Sequence, residues 1–145
     1  MKKLIILFAF ALVSVLNFTS CSNDDDNSSS SSIVGKWNYS KMSAIVDGVT
    51  SPEIEYDDNE AGCPKDYVEF KTGGIFIQGD YSGSTCVLDS FPGTWVQTDN
   101  TITITEGTDV YTAQVLSVTN STLKLKATET DSGMTITLIM TFTKA

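Results

Sequence analysis

The densest chemistry in the chain is the run Glu53-Ile54-Glu55-Tyr56-Asp57-Asp58-Asn59-Glu60, five carboxylates in eight residues. Clustered oxygens suit Ca²⁺, and paired carboxylates perform general acid–base work in glycoside hydrolysis. The order does not match an EF-hand loop, which needs a central glycine and a fixed terminal glutamate. The run reads as a solvated acidic loop, and no metal ligand or catalytic residue is assigned to it. The chain contains no His and no Arg. Ser-His and Cys-His nucleophiles and His-based metal sites are therefore excluded. Bidentate capture of phosphate or carboxylate, which is arginine chemistry, is disfavoured. Nucleic-acid binding needs a basic footprint, and there is none. The expectation is a protein that is not an enzyme, holds no cofactor and has no nucleic-acid partner.

The first residues have a different character. Lys2 and Lys3 precede an apolar run over 4–16, broken only by Ser14. A positive end before a short apolar core is the layout of a secretory signal. Thirteen residues fall short of the roughly 20 that a membrane-spanning helix needs. Ser20 and then Cys21 follow, and this resembles the cleavage box of bacterial lipoproteins, with Phe18 where that family usually has Leu. The resemblance implies a signal peptide over 1–20 and several acyl chains on Cys21, hence a firm membrane anchor. An ordinary secretory signal is the alternative. Residues 21–32 are rich in Ser and Asp. Such sequence buries too little apolar area to offset its ordering entropy and reads as a tether. Asp24-Asp25-Asp26 also resembles the export signal that one group of Gram-negative bacteria uses for surface lipoproteins. The implied location is the outer membrane, surface-exposed, with a periplasm-facing orientation as the alternative.

Removing residues 1–20 leaves one domain over 33–145 beyond the tether. Lys+Arg falls from 9 to 7 against 18 Asp+Glu, a net charge of −11. Cys63 and Cys86 are the only cysteines after Cys21. In an oxidising compartment they read most simply as one disulfide. Two free thiols or half of a metal site are the alternatives.

No helical stripe is visible after residue 33, but period-two alternation is. Its clearest case puts Met134, Ile136, Leu138, Met140 and Phe142 on one face, with Thr135, Thr137, Thr141 and Thr143 on the other. Similar runs over 34–46, 67–70, 75–81, 94–97, 101–105, 109–118 and 123–128 are separated by turn residues such as Gly73-Gly74, Asp99-Asn100 and Asp131-Ser132-Gly133. The fold class is all-β. Eight antiparallel strands in an up-and-down order close well into a small barrel. A two-sheet β-sandwich is the alternative. The one long connection runs over 49–65.

Ile33-Val34-Gly35-Lys36-Trp37 places a Gly-x-Trp on the first strand, and Gly93-Thr94-Trp95 repeats it. With Cys63, Phe70-Lys71-Thr72-Gly73-Gly74 and Cys86, these residues resemble the lipocalin-like lipoproteins of Gram-negative bacteria. The Arg that packs on the first-strand Trp in lipocalins is absent. The resemblance implies a barrel that holds a small apolar or amphipathic ligand, and it covers 33–145. Trp37 and Trp95 read as core plugs or as the floor of a pocket. Tyr39, Leu125, Met134, Ile136, Leu138 and Met140 are the candidate lining, with Tyr81 or Gln114 as polar handles. Met suits a pocket for varied apolar ligands, and it also fills gaps in a core. The rival reading is a filled barrel that contacts a protein or glycan through its loops. No protein partner is identified.

Overall fold

In the computed structural model, residues 32–131 and 134–145 are described. Ten strands form one antiparallel sheet: β1 (Gly35–Val46), β2 (Val49–Thr50), β3 (Ile54–Glu55), β4 (Tyr67–Lys71), β5 (Ile75–Ser82), β6 (Val87–Thr98), β7 (Thr101–Glu106), β8 (Asp109–Val118), β9 (Thr122–Asp131) and β10 (Met134–Lys144). Strands β4 to β10 follow one another as neighbours, and β1 pairs with both β4 and β10. Eight strands therefore close into a barrel, and no helix occurs among the described residues. Closure removes the edges that an open sheet would expose. All of this pairing lies within 35–144, so the barrel closes on its own residues.

The structure adds two details to the expected strands. The connection read as one long loop carries β2 and β3, which pair with the upper half of β1 where β4 does not reach. Strand β6 begins at Val87 rather than at residue 94. Its first half pairs with β5 alone, while pairing with β7 starts at Thr94. Pro92 lies in that first half, so its missing N–H breaks no bond to β7. The proline hides the strand from pattern reading without preventing it.

A bulge at Ser40 shifts the register of β1 between Tyr39 and Lys41. Trp37 and Tyr39 face inward before it. After it the inward set is Met42 and Ala44, opposite Met140 and Leu138. The bulged Ser40 carbonyl accepts the Tyr56 N–H at 2.8 Å.

The core gathers at the end of the barrel where β1 begins. Trp37, Phe70, Ile102 and Leu123 are fully buried there, with Ile33 and Phe142 beside them. The polar atom of each Trp is satisfied. Trp37 Nε1–H donates to the Ile33 carbonyl at 2.7 Å, and Trp95 Nε1–H donates to the Lys71 carbonyl at 3.0 Å. Trp95 meets Phe70 edge-on, with centroids 5.4 Å apart. In place of the missing arginine, Lys144 sets its Nζ 4.1 Å above the Trp37 ring and donates to the Val34 carbonyl at 3.1 Å. A Cβ on Gly35 would collide with that ammonium, so the glycine of Gly-x-Trp makes room for the lysine.

Cys63 and Cys86 form a disulfide. It ties the loop before β4 to the turn between β5 and β6, at the opposite end of the barrel from Trp37. Buried Asp66 reinforces the same link. Its carboxylate accepts the Tyr81 N–H at 2.6 Å, its N–H donates to Asn59 at 2.9 Å, and its carbonyl accepts the Tyr39 N–H at 3.0 Å.

Candidate functional site

Alternation along each strand fixes what faces inward above the packed end. From Phe76 the inward residues of β5 continue through Gln78 to Asp80, and those of β7 run Ile102, Ile104, Glu106. Both rows pass from apolar to acidic as they rise. On the facing wall, Ala113 pairs with Ala127, and Ala127 with Leu138. Two alanines side by side leave space that larger residues would fill. The result is a cavity of about 480 Å³. Ligand pockets usually measure roughly 300–1,000 Å³. On β6, Gly93 lets the Thr105 carbonyl and Glu106 Cγ approach so closely that a Cβ there would collide with them.

The lower wall is apolar: Phe70, Phe76, Phe142, Leu125, Leu138 and Met140 line it. Phe91 and Tyr111 also line the cavity while being 46% and 48% exposed, so they stand where it opens to solvent. The polar lining is Tyr39, Gln78, Asp80, Glu106 and Thr112. Tyr39 is held between Tyr56, stacked at 4.6 Å, and Phe142, tilted at 4.8 Å.

Burial pushes the Tyr39 phenol well above its ordinary pKa, with Tyr56, Asp80 and Glu106 adding to the effect, so it keeps its proton. Burial likewise raises the Asp80 carboxyl above its usual range. The hydrogen bond from Gln78 Nε2, at 3.2 and 3.3 Å to the two oxygens, works against that shift, and nearby Asp66, Asp89 and Asp58 add to it. Glu106 is raised by burial first, then by Asp80 and Asp109. Its Oε1 is shielded from solvent and has no hydrogen-bond partner among the described residues. Among the described residues, no cationic side chain lines the cavity.

Among the residues singled out from sequence, Tyr39, Leu125, Leu138 and Met140 line the cavity together. Trp37 lies below it, buried in the packed end. Trp95 packs against the core and lines a shallow outer depression with Gly73 and Gly74. Ile136 is half-buried on β10, outside the lining. The side chain of Met134 and all of Cys21 lie outside the described residues. The two polar handles are corrected. Gln114 is exposed and pairs with Lys126 on the outer face, one residue out of phase with the inward Ala113 and Val115. Tyr81 is out of phase with Asp80 in the same way, its ring 6.5 Å from that of Tyr67. The acidic side chains that do line the cavity are Asp80 and Glu106. Their signal was present in the alternation, since Phe76-x-Gln78-x-Asp80 and Ile102-x-Ile104-x-Glu106 each share a face.

The acidic loop turns out to be partly structural. Glu53 reaches Lys124 at 3.2 Å, Lys41 at 4.0 Å and the Thr141 hydroxyl at 2.9 Å, strapping the loop to the outside of the barrel. These partners hold its carboxyl below the usual range, the Thr141 hydrogen bond most of all. Glu55 sits 3.7 Å from Lys41.

Comparison with known proteins places this barrel. In structure the chain is similar to an uncharacterized protein of Bacteroides eggerthii (TM-score 0.53, 17% identity, covering 77% of this chain and 98% of that one). It is similar to a lipocalin-like protein of Bacteroides uniformis (TM-score 0.52, 18% identity, 77% and 97%). It also resembles apocrustacyanin C1 (TM-score 0.51, 9% identity, 83% and 64%). At these identities the likeness is one of fold. No curated protein matches the chain in sequence. The sequence profile of the lipocalin-like domain matches residues 33–125, the span that carries both Gly-x-Trp motifs, the disulfide and the first eight strands, and on that match the chain belongs to the lipocalin-like domain family.

Proposed function

We propose that the chain is a membrane-anchored lipoprotein whose barrel binds a small apolar or amphipathic ligand and performs no catalysis on it. The observation that carries the reading is the cavity of about 480 Å³, apolar below and polar near its mouth. A filled barrel acting only through its loops would not need such a space. The absence of His and Arg supports binding rather than reaction. The Cys21 box, the Ser/Asp tether over 21–32 and the apolar run before them support lipidation at Cys21. The acidic triplet after Cys21 supports the outer membrane with the barrel at the cell surface.

Native mass spectrometry of the barrel, purified gently from its own host, tests the binding reading. The expected result is a co-purifying mass that leaves on denaturation. A bare chain that takes up nothing from a panel of apolar and amphipathic compounds overturns it. Radiolabelled fatty acid incorporated by the parent and not by a Cys21→Ala variant tests the anchor. Protease treatment of intact cells, which should digest the barrel, tests the surface location.

A further inference from the structure

We propose that the cavity selects amphipathic cations, organic amines with an apolar body and an ammonium head, over fatty acids and other anions, with Glu106 and Asp80 receiving the head. The proposal rests on the reading of the barrel as a ligand site and names the class of ligand. The lining carries two carboxyl groups, Asp80 and Glu106, and among the described residues no cationic side chain answers them. Glu106 lines the cavity, yet its Oε1 is cut off from solvent with no donor among the described residues, and it gains a partner only when the carboxyl turns toward the cavity. A carboxylate in that state costs free energy until a donor arrives. An ammonium group supplies both the donor and the opposite charge. A ligand carboxylate would instead bring another negative charge beside two that already resist ionisation.

The geometry sets the orientation. On β7 the order from the packed end outward is Ile102, Ile104, Glu106, and on β5 it is Phe76, Gln78, Asp80. An amphiphile therefore enters tail first, laying its chain against Phe76, Leu125 and Leu138 and leaving its head level with the two acids. The rings of Tyr39, Phe91 and Tyr111 belong to the same lining, and ring faces attract ammonium groups. An organic cation fits better than a metal ion, because no group of three metal-ligating side chains converges among the described residues. Burial holds both carboxyls above their usual range, and a bound ammonium would bring them back toward the charged form. The groups that face Glu106 are Asp80, Asp109 and Tyr39, and those that face Asp80 also include Asp66, Asp89 and Asp58. None of these is cationic, so none competes with a ligand for the pair.

The test titrates the barrel, residues 32–145, with three chain-matched probes below their micelle concentrations: decylamine, decanol and decanoate. Calorimetry at neutral pH should give decylamine a Kd at least about tenfold below that of decanoate, a difference of about 1.4 kcal/mol. In the double variant Asp80→Asn, Glu106→Gln that preference should disappear, with decanol affinity retained. Decanoate binding as tightly as decylamine, or a double variant that keeps the preference, overturns the proposal while the carrier reading stands. Failure of all three probes to bind removes the carrier reading and this proposal with it. Should the double variant not fold, the parent's pH profile decides. Decylamine affinity should rise with pH across the carboxylate range while decanol affinity stays level, and a flat decylamine profile overturns the proposal.

Discussion

The two ends of this barrel are made from the same strands and behave as different materials. At the end where β1 begins, Trp37, Phe70, Ile102 and Leu123 fill the space and the indole N–H groups find carbonyl partners. Toward the other end, Ala113 and Ala127 face each other, one Glu106 oxygen has no hydrogen-bond partner among the described residues, and Phe91 and Tyr111 stand exposed. One end satisfies every rule of a packed core; the other breaks several within a few residues. Such departures concentrate where a protein functions, and the well-packed remainder supplies the stability that tolerates them.

Substitutions at the two ends should separate these roles. Trp37→Ala should have the largest effect, a loss of about 3–5 kcal/mol in denaturant unfolding. A loss below about 1 kcal/mol would mean that the packed end does not anchor the fold. Replacing both Cys63 and Cys86 by Ser should cost about 3 kcal/mol by the loop-entropy account. This bond restrains the open end, so hydrogen exchange should quicken in the loop before β4 and at the β5–β6 turn before it quickens around Trp37. Lys144→Met should cost about 0.5–2 kcal/mol by removing the ammonium from the Trp37 ring, read as a shifted unfolding midpoint. Ala127→Phe should reverse the pattern. It should abolish ligand uptake while moving stability by less than about 1.5 kcal/mol, because the added ring occupies space that is already empty. Uptake that survives Ala127→Phe would place the ligand elsewhere.

A pH titration sharpens the comparison further. Asp80 and Glu106 have folded-state pKa values above their unfolded ones. The folded state therefore holds those protons more tightly through the window between the two values. Stability from these groups is present below the unfolded values and is lost as pH rises through the folded ones. Glu106→Gln should thus make the ligand-free barrel more stable than the parent at neutral pH, with the advantage vanishing in acid. Exposed Glu53, whose pKa is lowered, acts with the opposite sign, and the parent-minus-variant difference cancels it.

The alternation that places Met140 opposite Leu125 and Phe142 opposite Leu123 is legible residue by residue, so the barrel and its strand count could be read from sequence. The Ser40 bulge could not, because one extra residue swaps the inward face of β1 without altering its composition. The first half of β6 was obscured by Pro92, whose rule against central strands does not apply where one neighbour is missing. At the site, the apolar lining on β9 and β10 followed from periodicity. Asp80 and Glu106 are not legible as lining, because acidic residues near strand ends ordinarily face solvent. Only closure of the barrel reveals that these ends turn toward a shared interior. The two facing alanines were equally silent, since a hollow depends on what stands opposite and not on any one strand.

The unpaired margin along the start of β6 has a consequence for the molecule in company. From Val87 to Gly93 this strand bonds to β5 only, and a bare row of main-chain donors and acceptors invites another chain to zip alongside. Val87, Leu88 and Phe91 are exposed on that stretch and would strengthen such an encounter. Pro92 interrupts the row with a residue that offers no hydrogen, and Asp89 puts a charge beside it. Copies brought side by side would meet at this margin, and so short and guarded a stretch works against edge-to-edge pairing.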